Sequence, residues 1–83
     1  MIVKIDKSFG RDQRKIREQE VLLEIIRVIE QAKSASSLDQ INGIKKLKGF
    51  KEFYRIRIGD FRVGINVKGS VIEFIGCISI CRG

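Results

Sequence analysis

Three arginines, Arg55, Arg57 and Arg62, are the residues best placed to do chemistry, because their spacing puts fixed positive charge on one side of a ribbon. They lie in the run from Phe53 to Val67, where charged and apolar residues alternate with the period of a strand. Gly59-Asp60 interrupts the run as a two-residue turn, and glycine at its first central position suits a type II′ hairpin. Closure across two residues pairs Ile58 with Phe61, Arg57 with Arg62, Ile56 with Val63 and Arg55 with Gly64. Two arginines then face each other directly, which costs stability in a sheet. An anion laid over that face offsets the cost, and phosphate suits it because guanidinium binds it through paired hydrogen bonds. The competing reading is a solvated polar face, routine on the outer side of an antiparallel sheet.

Other residues extend either reading. Lys45, Lys46, Lys48 and Lys51 precede the hairpin as a solvated loop, or as a rim that gathers phosphate by counterion release. Phe53 shares the basic face, with Phe50 near it, and an aromatic among arginines suits base stacking or cover by a protein partner. Tyr54 and Phe61 have the opposite parity and belong to the core. Glu73 reaches the arginine face in one register of the strand after Lys68-Gly69, where it would pair with an arginine.

Composition narrows the chemistry. The 83 residues make a single domain, with 17 basic and 10 acidic side chains, a net charge of +7 and a pI near 9.9. Such a chain favours nucleic acid, an anionic surface or an acidic protein as partner. With no histidine, Ser-His-Asp and Cys-His catalysis are excluded, and zinc is not expected. Cys77 and Cys81 would be roughly 13 Å apart on an extended strand, too far for a disulfide. No run approaches the roughly 18 apolar residues of a membrane span. Met1 to Asp6 alternates like a strand and lacks the apolar core of a secretion signal, so a cytoplasmic protein is expected, with no membrane partner.

The elements that must position the arginines follow from periodicity. Ile2 to Ile5 reads as a strand, and Ser8 as the cap of a helix carrying Phe9 and Ile16. A joint falls within Arg17 to Glu20. Leu22, Ile25, Ile26 and Ile29, continued by Ala32, form the stripe of a second helix that ends at Ser34 to Ser37. Ser37 and Gln40 have capping-box spacing for one more turn, and Asn42-Gly43 breaks the chain ahead of a basic linker. Beyond the hairpin, Lys68-Gly69 is a second turn into Val71 to Ile75, apolar enough to be covered on both faces.

A strand, a basic helical hairpin and then Leu47-Lys48-Gly49 followed by Tyr54-Arg55-Ile56-Arg57-Ile58-Gly59-Asp60-Phe61-Arg62-Val63 resembles the RelE/ParE superfamily of toxins. With the elements above, that resemblance implies an α+β single domain over residues 1–83. Two to three N-terminal helices would pack on one face of a mainly antiparallel four-stranded sheet, with a basic concave face opposite. It implies a type II toxin–antitoxin pair whose acidic antitoxin segment wraps that face. RelE-type members cut messenger RNA in the ribosome, whereas ParE-type members inhibit gyrase. By resemblance, Arg55, Arg57 and Arg62 would be the catalytic residues of an endoribonuclease that uses no metal and no cofactor. Lys48, Lys51, Phe53 and Arg82 would contact RNA. Where nucleases of this kind carry a basic or His-Arg segment and then a tyrosine, this chain has Ser79-Ile80-Cys81-Arg82-Gly83. A gyrase-type inhibitor and an inactive antitoxin-binding module therefore stand as alternatives.

Overall fold

The computed structural model describes residues 1–49 and 51–79. In chain order it runs β1 (Ile2–Ile5), α1 (Lys7–Arg14), α2 (Gln19–Ser34), a 3-10 turn (Leu38–Gln40), β2 (Ile44–Lys46), β3 (Phe53–Ile58), β4 (Phe61–Lys68) and β5 (Val71–Ser79). The strands form one sheet in the order β1-β5-β4-β3-β2, antiparallel except where β1 runs parallel to β5. The α+β class and the mainly antiparallel sheet agree with expectation, but the sheet has five strands rather than four. The extra strand is β2. The basic segment after Gly43 is an edge strand rather than a linker, with Ile44 opposite Ile56 and Lys45 opposite Arg55. Three alternating residues are too short a signal for sequence periodicity to register.

The hairpin has the expected register, from Ile58 opposite Phe61 to Arg55 opposite Gly64. Gly59 has φ +55 while no non-glycine among the described residues, Asp60 included, has positive φ, so the turn matches type II′, which needs positive φ only at its first central position. The next turn is centred on Gly69-Ser70, one residue later than Lys68-Gly69, because Lys68 is itself paired with Val71. Gly69 again takes the positive φ, at +58.

Helix α1 is too short to hold itself and is stabilised from outside. Its cap is Asp6 rather than Ser8: the Asp6 carboxylate accepts from the Ser8 N–H at 3.1 Å. Phe9 is fully buried and meets Phe74 edge to face, with ring centroids 5.4 Å apart. Helix α2 buries Ile25, Val28 and Ala32, with Leu22 and Ile29 half-buried, while Ile26 is 51% exposed. The stripe is thus turned toward Val28, since α2 packs across β1 and β3 rather than flat on the sheet centre. Ser37 makes no side-chain cap; Gln40 Oε1 instead accepts from the Ser36 N–H at 2.8 Å.

Ile56, Val63, Ile65, Ile72 and Phe74 fill the layer between sheet and helices, with half-buried Tyr54 and Phe61 against them as expected. Strand β5 is longer than read from sequence and is covered on one face. Ile72, Phe74 and Cys77 are buried, whereas Val71, Glu73 and Ile75 are half-exposed and Ile78 is 65% exposed. Among the described residues, no helix is long and apolar enough to cross a membrane.

Candidate functional site

The open face of the sheet, opposite the helices, carries Arg55 and Arg57 from β3 and Arg62 from β4. Arg57 and Arg62 are direct cross-strand partners, and Arg55 sits between Lys45 on β2 and Gly64 on β4. Arg55 is half-buried and Arg57 exposed, and among the described residues neither guanidinium has a hydrogen bond or ion pair; the described ion pairs both lie on α2, Arg27–Glu24 and Lys33–Glu30. Arg62 differs. Its Nη1 donates to the carbonyls of Gly59 at 3.0 Å and Phe61 at 2.9 Å, so part of its binding capacity tightens the hairpin end. Arg57 also borders a depression at the sheet edge shared with Glu20 and Glu24 of α2.

A groove of about 500 Å³ lies on this face, lined by Leu47, Phe53, Arg55, Arg62, Val63, Gly64, Ile75, Gly76 and Ile78. Its floor comes from an irregularity in the β4–β5 ladder. Gly64 pairs with Gly76 but Ile65 pairs with Phe74, so Ile75 is an extra residue, a β-bulge. Two α1 side chains one helical turn apart support the bulge from behind. Asp12 Oδ2 accepts from the Cys77 N–H at 3.0 Å. Ser8 Oγ lies 3.1 Å from the Ile75 carbonyl and also against the Asp6 carboxylate, sharing its one proton between them. The Ser8 hydroxyl and then its N–H hold the Asp6 carboxyl below the usual carboxylate range. Burial, and then the negative charge of Asp12, push the Cys77 thiol up, which keeps it an unreactive core residue.

Of the other sequence candidates, Phe53 is 37% exposed, lies opposite Asn66 and lines the groove. Lys48 and Lys51 are exposed and border a depression of about 330 Å³ with Lys46, Leu47 and Gly49. Leu47 belongs to both hollows, so the lysine rim is continuous with the arginine groove. Phe50 and Arg82 lie outside the described residues. Glu73 is on the open face but opposite Asn66 and Lys4, and among the described residues it pairs with no arginine. Sequence reasoning missed Leu47, Gly64, Ile75, Gly76 and Ile78 as groove residues. The signal available was two isolated glycines inside strands, a mark of a bulge or a close approach of backbone.

A cleft with bare backbone at its base, apolar walls and fixed cations at its edge can seat a flat apolar group attached to an anion. No protein-family model matches the chain. It is similar to toxin RelE3 of Methanocaldococcus jannaschii, 44% identical over 48 residues, which are 57% of this chain and 54% of that protein. The chain thus aligns with about half the length of that curated relative. It is similar to a chain of the RelB-RelE antitoxin-toxin complex from Methanococcus jannaschii, with 32% identity and a TM-score of 0.82 over 92% of this chain and 88% of the other. The archaeal RelE-RelB complex from Pyrococcus horikoshii shares the fold, with 22% identity and a TM-score of 0.75 over 99% and 97% of the two chains. So does the isolated RelE toxin of E. coli, at 18% identity and a TM-score of 0.73 over 99% and 86%.

Proposed function

The chain belongs to the RelE family of toxins, and on that premise we propose that it is the toxin of a type II toxin–antitoxin pair that cleaves messenger RNA during translation. The observation that carries this reading is the open face itself. Arg55 and Arg57 offer charge that no group among the described residues satisfies, beside a groove able to hold part of a nucleotide. In the proposed reaction the ribose 2′-hydroxyl gives its proton to water and its oxygen attacks the adjacent phosphorus; the bond to the 5′-oxygen breaks, the leaving 5′-oxygen takes a proton from water, and a 2′,3′-cyclic phosphate and a 5′-hydroxyl remain. Arg55, Arg57 and Arg62 offset the charge that builds on the phosphoryl oxygens, and positioned cations of this kind are often the largest catalytic contribution. Arginine stays protonated, so these residues bind and stabilise rather than carry the proton. Lys48 and Lys51 collect the strand at the rim, and Phe53 offers a ring for stacking.

The proposed partner is an antitoxin with an acidic segment, complementary to the same face, and the proposed setting is the cytoplasm. The test is induced expression without antitoxin, scoring growth while mapping the 5′ ends of cellular RNA. Arrest with new cuts inside translated codons, lost in Arg55→Ala with soluble protein, supports the reading. Arrest with intact messenger RNA and damaged DNA would replace it with the gyrase-type reading. Soluble protein with neither arrest nor cuts would leave an antitoxin-binding module.

A further inference from the structure

The groove beside Arg55 has a floor without side chains. Gly64 and Gly76 face each other across β4 and β5, where strand residues normally place side chains. Gly64 has ordinary strand backbone, not positive φ, so conformation does not demand glycine there. Packing does not demand it at Gly64 either, where a Cβ would meet nothing nearer than the Gly76 carbonyl, at 3.9 Å; at Gly76 it does, since a Cβ there would come 3.2 Å from Asp12 Oδ2, so the slot rests on Gly64. What glycine provides at this position is an open slot. Phe53 walls it on the β3 side and Ile78 on the β5 side.

The cation and the slot are one strand apart. Arg55 is the cross-strand partner of Gly64, so the two are separated by about 4.8 Å in the sheet direction. A flat apolar group covalently tied to an anion at such an offset is a nucleotide unit, its base in the slot and its phosphate on the guanidinium.

We infer that the Gly64–Gly76 floor is the seat of one nucleobase of single-stranded RNA, so that this face binds base as well as phosphate. The inference rests on the RNA-directed reading above and adds where the base goes. Seating is independent of base identity, since every base has a π-face to lay against the Phe53 ring that lines the slot.

The test uses the full chain and a 2′-O-methyl hexaribonucleotide, which lacks the attacking hydroxyl and so stays intact. Its control has the same phosphates and one central abasic residue. The expected result is that the native protein binds the complete strand roughly tenfold tighter than the abasic one, the factor of one modestly stacked base. Gly64→Leu, which fills the slot, is expected to bind both strands at the native abasic level. Gly64→Ala is expected to fall between them, and melting curves confirm that each variant is folded. Equal binding of both strands by the native protein would overturn the base seat while leaving phosphate binding intact. No measurable binding of either strand would overturn the RNA reading as well. If Gly64→Leu kept its preference for the complete strand but lost an acidic amphipathic peptide, the slot would belong to a protein partner and the inference would fail.

Discussion

Replacing Asp12 by alanine tests whether α1 holds the bulge that floors the groove. The Asp12 carboxylate accepts from the Cys77 N–H at 3.0 Å in a partly buried setting. Removing a charged acceptor from a backbone donor costs about 1.5–3 kcal/mol, and partial access to water favours the lower end. One effect opposes this. Asp12 lies near the C-terminal end of α1, where negative charge is unfavourable, and its removal returns about 0.3–1 kcal/mol. The net expected loss is about 1 kcal/mol, which for a domain of this size lowers Tm by about 4–8 °C. Asp12→Asn keeps an acceptor oxygen and should lose less than Asp12→Ala. Two assays decide it: urea unfolding with thermal melts, and hydrogen exchange at the Cys77 amide. The Cys77 N–H should exchange faster in Asp12→Ala while the amides of the β3–β4 hairpin keep their native protection. Unchanged Tm together with unchanged Cys77 protection would refute the clamp. The variant should also narrow the gap between complete and abasic strands, because Gly76 would no longer be held level with Gly64.

Gly43→Ala should destabilise the fold by about 1 kcal/mol or more and misplace Arg57, since Gly43 has φ +77 and its Cβ would come 2.9 Å from the Arg57 carbonyl; thermal melts would show it. Asp6 gives a pH signature. Its folded carboxyl is held below the unfolded value, so its stabilisation is complete above the unfolded carboxylate range and lost as pH falls through the folded value. The urea midpoint should drop on acidification below about pH 4, and Asp6→Asn should flatten part of that drop. Asn66→Val should raise stability by up to about 1 kcal/mol in denaturant melts, because it removes a buried acceptor without a donor and adds a residue suited to strands. A lower midpoint would mean that Asn66 is satisfied in solution.

What the sequence determined by itself was the hairpin and its charge. A two-residue turn admits one antiparallel closure, and a side-chain period of two then assigns every residue from Phe53 to Asn66 to a face. The opposition of Arg57 and Arg62, the inward Tyr54 and Phe61, and the basic open face were legible for that reason. The apolar stripe of α2 was legible as a helix but misjudged at Ile26 and Val28. Periodicity reports a helix face, and only the neighbours decide its rotation by a few tens of degrees. Tertiary structure alone decided β2, the bulge and the groove. Lys45 becomes part of a strand only because β3 offers it an edge. The bulge at Ile75 stands because Ser8 and Asp12 supply partners from 67 and 65 residues away, a relation that no local pattern encodes. Two glycines that a sequence shows merely as weak points in strands become the floor of a groove once the ladder sets them opposite each other.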